Sequence, residues 1–258
     1  MNDRVMSFAG IHNFRDYGGY QGRGGQIVRG KFYRSGQHHT ATAADLAIVD
    51  NIGITTVVDL RGDSERRRYP CARSAAFAAQ VLFADGETAG AGGAAHAVAS
   101  REVKTADDAF SAMIDLYSFM PRRPNLQAVL RQYLTSLAED DGANLIHCFA
   151  GKDRTGLAVA LVHRLMGVHH DDVMADYLLT NTAGNSAARI AAGAESIRRS
   201  QPAASDEAVA QLMSVDAAYL DAAFATIDGE WGSPENYARD VLDADRARLE
   251  KIRGRMIA

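Results

Sequence analysis

The chain has 258 residues, 47% of them hydrophobic and 23% charged, with a formal net charge of −4. That length holds one α/β domain with a sizeable core, or two small ones at most. The negative balance argues against a general binder of nucleic acid or acidic membranes, though it is compatible with a local basic pocket.

The first six residues, Met1 to Met6, lack the apolar core of a signal peptide, and no later segment has the character of a membrane span. The simplest expectation is a cytoplasmic protein. Up to Gly36 the chain is rich in glycine and aromatic residues, with short β-prone pieces at Gln26-Ile27-Val28 and Lys31-Phe32-Tyr33. Thr42, with Asp45 three residues on, predicts a capped helix that ends near Asn51-Ile52-Gly53. Ile54 to Leu60 is β-branched without polar alternation and predicts a buried parallel strand. Ala79 to Phe83 predicts another.

From Gly86 to Ser100 glycine and alanine dominate, and the stretch cannot bury enough apolar surface to order itself strongly. It reads as a loose excursion or the hinge of a lid, and a mobile, lid-like insertion is expected around 86–125. Asp107 to Met120 predicts an amphipathic helix with Phe110, Met113, Ile114 and Tyr117 on one face. Asn125 to Leu137 predicts a second helix, followed by the apolar run Ala143 to Ile146. Beyond residue 156 the pattern is helical, with breaks expected at Gly167, Gly184, Pro202 and Gly229. Nothing in the composition divides the chain, so residues 1–258 are expected to form a single domain. Strands alternating with helices imply an α/β fold, a mostly parallel central sheet flanked by helices with a helical C-terminal half. Sites in such folds sit at the carboxyl ends of the strands, where Asp59, Asp85 and Cys148 all fall.

The segment from His147 to Gly156 carries the most chemistry: His-Cys-Phe-Ala-Gly-Lys-Asp-Arg-Thr-Gly, set between a strand-like and a helix-like run. A thiol attacks only as thiolate, and cationic neighbours and a helix N-terminus lower its pKa. Cys148 lies before a helix start with Lys152 and Arg154 nearby. If the backbone N–H groups of residues 149 to 154 curl inward, they form an anion-binding nest backed by the helix dipole. Arg154 adds a planar fork able to grip two phosphate oxygens. The Gly151-Lys152 pair is not a nucleotide-binding loop, because Asp153 stands where that motif needs Ser or Thr.

These residues match the H-C-x5-R-[ST] signature of cysteine-dependent phosphatases. Adding Asn13-Phe14-Arg15-Asp16, Tyr33-Arg34-Ser35-Gly36, Asp59-Leu60-Arg61, Ala175-Asp176-Tyr177-Leu178 and Trp231-Gly232-Ser233, the chain resembles bacterial protein-tyrosine phosphatases of the secreted mycobacterial type over nearly its whole length. The resemblance implies a cysteine-phosphatase-like fold and hydrolysis of phosphotyrosine, with phosphoserine, phosphothreonine and phosphoinositides accepted by some members. It implies no metal or other cofactor. Members are exported without a cleavable signal, so export stands beside the cytoplasm. Cys148 would be the nucleophile and Arg154 the phosphate clamp, with Phe149, Ala150, Gly151, Lys152 and Asp153 lining the cradle. The Thr155 hydroxyl would bond the sulfur and help it leave. Asp153 would be the general acid and base; Asp85, which follows a strand and opens the loose stretch, is by its position a second candidate general acid. The stretch after Asp85 departs from the family's lid of longer helices.

Other polar residues read more modestly. Lys152 adds charge for a second phosphate or an acidic head group, or faces water. Asp59 is expected to bond loop backbone, and Asn13, Arg15 and Asp16 to form an ion pair that fastens the N-terminal segment. His147 should orient the loop by hydrogen bonding. His38-His39 and His169-His170 point apart and sit in capping positions, so no metal is expected there. Arg122-Arg123 and Arg198-Arg199 read as solvated faces. Cys71 and Cys148 form no disulfide framework, and a reversible redox bridge between them is left open. The expected partners are a phosphoprotein or phosphoinositide substrate, with no nucleic acid and no membrane span. A non-catalytic phosphate-binding module and a sulfur-transfer or arsenate-reducing enzyme are the rivals from other classes.

Overall fold

A computed structural model of the chain describes residues 3–88 and 102–258. Its main sheet has five strands in the order β1 (Arg15–Asp16), β4 (Phe32–Ser35), β7 (Ala143–His147), β5 (Ile54–Asp59) and β6 (Gln80–Leu82). β2 (Gln21–Gly22) and β3 (Gly25–Gln26) form a separate antiparallel hairpin. β4, β7, β5 and β6 run parallel, and only β1 is antiparallel. The central strand β7 is buried at every position, as its unalternating apolar sequence requires. Ser35, His147 and Asp59 lie in register across the sheet, so the three parallel strands β4, β7 and β5 end on one line. The chain leaves that line at Gly36, Cys148 and Leu60.

Helix α1 (Ala43–Ile52) begins with the expected capping box, Asp45 N–H donating to Thr42 Oγ1 at 3.1 Å and Thr42 N–H to Asp45 at 3.0 Å. Gly53 closes it in the left-handed conformation. α2 (Asp63–Arg68) follows β5 directly. α3 (Ala106–Phe119) buries Met113 and Tyr117 on the predicted face and packs against the C-terminal helices. The glycine- and alanine-rich stretch that the sequence marks as mobile falls mostly on residues 89–101, outside the described residues. α4 (Pro124–Glu139) leads into β7, and α5 (Asp153–Leu165) leaves it, buried from Arg154 to His163 between the sheet and the helices beyond.

Those helices are α6 (His170–Leu178), α7 (Ser186–Ser200), α8 (Asp206–Met213), α9 (Ala217–Trp231), α10 (Pro234–Val241) and α11 (Arg246–Met256). Gly167 and Gly184 interrupt the helical pattern at positive φ, as expected. Gly229 does not break a helix. α9 runs through it and stops at Gly232, whose φ of 82° is the left-handed cap that demands glycine. A glycine inside a helix costs only about 1 kcal/mol relative to alanine, which the packing of α9 outweighs. No helix of the described residues is long and apolar enough to cross a membrane.

Candidate active site

The end of β7 and the start of α5 make a tight loop around Cys148. Gly151 carries a φ of 66°, and a Cβ there would come within 2.5 Å of the Ser35 carbonyl and 2.6 Å of Gly36 N. The loop therefore closes against the end of β4 only because position 151 has no side chain. Among the described residues, no backbone N–H from Phe149 to Arg154 finds an acceptor. Unpaired amides at a helix N-terminus constitute an anion-binding nest. Cys148 is 3% exposed at its floor.

Arg154 enters the site from the first turn of α5 and is gripped from behind. Glu65, on α2, takes its NH1 at 2.6 Å and its NH2 at 2.8 Å. NH1 also donates to the Leu60 carbonyl at 3.1 Å and to Thr88 Oγ1 at 2.9 Å. Burial opposes the guanidinium charge, but Glu65, Cys148 and Asp153 outweigh it and push the Arg154 pKa up. Burial likewise opposes the Glu65 carboxylate, and Arg154 overrides it and holds the pKa down. The bidentate pair fixes the plane of the fork before any ligand arrives.

Asp153, beside it, accepts from Tyr117 Oη at 2.9 Å, and Tyr177 Oη donates to Tyr117 Oη at 2.7 Å. Lys152 Nζ lies 3.2 Å from the same carboxylate oxygen. That ammonium is buried and donates to the carbonyls of Leu212 at 2.7 Å and Ser214 at 3.0 Å, so it ties the loop to the end of α8. One carboxylate in the loop is thus aimed by a tyrosine from α3 and a lysine from its own chain.

A buried network braces the loop from beneath. The Gly151 carbonyl accepts from Asn13 Nδ2 at 2.7 Å and from Arg34 NH2 at 3.1 Å. Asp176, on α6, pairs with both Arg15 at 3.1 Å and Arg34 at 2.6 Å, and Arg15 also donates to Asn13. On the other flank, Asp59 chelates Arg61 at 2.9 and 2.7 Å and lies 3.8 Å from His147 Nδ1. Burial lowers the His147 pKa to about 4, so the ring is neutral and its Nδ1 faces the Cys148 carbonyl at 3.2 Å.

Known proteins point the same way. Residues 6–258 match the description of a tyrosine phosphatase family. The chain belongs to that family. A Cupriavidus necator protein bearing a provisional tyrosine-protein phosphatase name is 35% identical over 95% of this chain and 86% of its own length. The triple specificity protein phosphatase PtpB of Mycobacterium tuberculosis is 31% identical over 97% of this chain and 98% of its own length. The protein is therefore a phosphatase enzyme with phosphoproteins as substrates, built on the α/β sheet expected of it.

Within this tyrosine phosphatase the predicted residues divide clearly. Cys148, Asp153 and Arg154 meet in one loop with Phe149, Ala150, Gly151 and Lys152. Thr155 is fully buried, and its hydroxyl has no partner among the described residues. Asp85 lies exposed beyond β6, bonded to none of the loop residues. The Lys152 charge is spent on two carbonyls and Asp153, and it does not face water. Asn13 and Arg15 brace the loop itself, a larger role than fastening the N-terminus. Asp16 does the latter, accepting from the amides of Gly18 at 2.7 Å and Gly30 at 2.8 Å. Arg122 is surface-paired to Glu230, but Arg123 is 8% exposed and no solvated residue. Both cysteines are free thiols, and Cys71 Sγ accepts from Arg61 at 3.2 Å. Asp59, Cys71 and His147 bring ligand-type atoms within 4.8 Å of one another, but Arg61 already supplies the cation there.

Sequence reasoning missed Glu65, Thr88, Tyr117 and Tyr177 as site residues. Glu65 sits in the run Asp63-Ser64-Glu65-Arg66-Arg67-Arg68, which resembles a solvated helix; the glutamate three residues after Gly62 was its one visible signal.

Proposed function

We propose that this phosphatase hydrolyses phosphotyrosine in proteins through a phosphocysteine intermediate on Cys148. The observation that carries the reading is a nest of unpaired amides with a buried cysteine at its floor and a guanidinium pre-oriented by Glu65 at its rim. The Cys148 thiolate attacks phosphorus, forming a sulfur–phosphorus bond as the bond to the tyrosine oxygen breaks. Arg154 and the loop amides hold the non-bridging oxygens, where charge is concentrated in the transition state. Asp153 gives its proton to the departing phenoxide. It then takes one from the water that displaces the sulfur, so inorganic phosphate leaves and the thiolate returns. Tyr117 and Lys152 both engage Oδ1 of Asp153 and so fix the carboxyl group while leaving Oδ2 to carry the transferred proton; Asp85 is the alternative donor. The Thr155 hydroxyl is the group available to stabilise the departing sulfur.

Phosphoserine and phosphothreonine fit the same cradle, and the triple-specificity name of the mycobacterial relative supports that breadth. A phosphoinositide phosphatase would use the identical chemistry. Phosphate release from phosphotyrosine, phosphoserine and phosphothreonine peptides and from a phosphoinositide, run side by side with Cys148→Ser as blank, tests the reading. Peptide turnover that vanishes in the variant supports it. Turnover by a folded Cys148→Ser enzyme, or none by the wild type, refutes it.

A further inference from the structure

Arg68 is a cation at the rim of the phosphate loop that the mechanism above leaves unused. It ends α2, the helix whose Glu65 holds Arg154 at 2.6 and 2.8 Å. Residues three apart lie on one side of a helix, with roughly 5–6 Å between their Cβ atoms. Arg68 therefore stands one turn from Glu65 on the side of α2 that meets the site. Glu65 is buried there, whereas Arg68 is exposed.

A second line of contacts reaches the same place from the loop itself. Phe149 follows Cys148, and its ring meets that of Tyr69 edge-on, with 5.1 Å between centroids. The Arg68 guanidinium carbon lies over the Tyr69 ring, 5.3 Å from its centroid, and the His39 ring packs against Tyr69 at 5.5 Å. The Tyr69 carbonyl accepts from Arg61 at 2.6 Å. Arg61 also donates to the Gln37 side chain, and the Gln37 backbone N–H bonds the Phe149 carbonyl at 2.9 Å. Tyr69 is thus fixed to the loop through its ring and through its backbone, and Arg68 rests on it. The charge of Arg68 is open. Asp63 pairs with Arg66 and, at 3.9 Å, with Arg67, but among the described residues no carboxylate pairs with Arg68.

We propose that Arg68, seated on Tyr69, is a specificity residue that binds a carboxylate side chain of the peptide substrate close to its phosphotyrosine. The inference deepens the reading above and rests on it, since the phosphotyrosine must enter beside Phe149. A carboxylate is the matching anion because the place offers one guanidinium fork and no amide beside it. The adjacent N–H, that of Tyr69, is already given to the Glu65 carbonyl at 2.9 Å. A protein of net charge −4 repels an acidic peptide at long range, so an open cation at the mouth of the site decides whether such a peptide is accepted. Extended backbone advances roughly 3.3 Å per residue, so one ring and one guanidinium beyond the loop is a reach of about three residues. The carboxylate therefore belongs within that distance of the phosphotyrosine.

The test measures kcat and KM of the full-length wild type, Arg68→Ala, Arg68→Lys and Arg246→Ala on two phosphotyrosine peptides. One peptide carries glutamate around the phosphotyrosine and the other carries glutamine at the same positions. Arg246, exposed on α11, controls for the loss of one surface charge. For the wild type at low salt we expect the glutamate peptide to be favoured roughly fivefold, the size of a good exposed ion pair, through KM at unchanged kcat. The preference should fade in roughly 1 M salt, where screening acts over about 3 Å. Arg68→Ala should lose most of it, with the glutamine peptide altered by less than about twofold. Arg68→Lys keeps the charge without the fork and should lie between, and Arg246→Ala should match the wild type. No preference in the wild type, a preference that survives Arg68→Ala, or equal losses on both peptides would overturn the assignment. So would its loss in Arg246→Ala, which would make the preference an effect of overall charge. A wild type inactive on both peptides would instead refute the phosphatase mechanism beneath it.

Discussion

Asp153 shows how far one residue's role depends on neighbours distant in sequence. An acid inside an anion-binding loop repels the substrate unless its position serves the reaction, and Tyr117 and Lys152 fix that position from two sides. If Asp153 transfers the proton, Asp153→Asn should lower kcat by roughly 10² or more on a phosphotyrosine peptide. Tyr117→Phe should lower kcat several-fold with KM little changed, and should cost nothing further in the Asp153→Asn background. A double-mutant cycle on kcat reads this directly. Losses that simply add would mean that Tyr117 acts elsewhere, and a small loss in Asp153→Asn would pass the acid role to Asp85. At this scale Cys148, Arg154 and Asp153 were legible as candidates for nucleophile, clamp and loop acid because the proposed chemistry dictates their spacing. Glu65 and Arg123 were not. A charged residue in a charged run looks solvated, and nothing local in Arg122-Arg123 reveals that one side chain reaches Glu230 while the other is buried.

Among the elements, the strand–loop–helix unit β7–α5 was readable almost residue by residue, since a short unalternating apolar run bounded by turn residues fits a buried strand and the turn needs glycine. Gly151 tests that logic. Gly151→Ala places a methyl group about where the Ser35 carbonyl lies and forces a left-handed φ on a residue with a Cβ. We expect a folded enzyme with Tm lowered by a few degrees, a cost of roughly 1–3 kcal/mol. kcat/KM should fall at least about a hundredfold, because the amide nest must open to make room. Normal kcat/KM in this variant would contradict the closed-loop geometry. What the sequence did not disclose is the bracing of the loop. Asn13, Arg15, Arg34 and Asp176 come from two strands, a connecting loop and a helix, and they meet only once the sheet order is known.

At the scale of the whole molecule, three imidazoles among the described residues are buried without charge. Burial lowers the pKa of His38, His147 and His163, in the case of His147 to about 4 and against the pull of Asp59. In the unfolded chain each titrates near 6.5, and a pKa unit is worth about 1.4 kcal/mol. The folded state therefore binds fewer protons. Its stability is complete above about pH 6.5 and is lost as the pH falls toward the folded pKa values. The Asp59 pKa is lowered to about 2, since His147 and Arg61 outweigh its burial. Its stabilising contribution is lost only below about pH 4, where the unfolded carboxyl gains its proton. Thermal melts should thus show Tm declining between about pH 6.5 and 4.5, before the carboxylates contribute. A flat Tm over that window would show that the imidazoles are not held neutral. The central sheet that buries these rings was predictable from apolar periodicity, whereas which histidines it would enclose depended on its strand order.

The account's central claim is that phosphate passes through Cys148, and rapid acid quench of the enzyme turning over a phosphotyrosine peptide, followed by peptide mass analysis, tests it most directly. The prediction is a single added phosphate on the peptide that contains Cys148, present during turnover, absent without substrate and absent in Cys148→Ser, which also releases no phosphate. Steady turnover by a folded Cys148→Ser enzyme would contradict it.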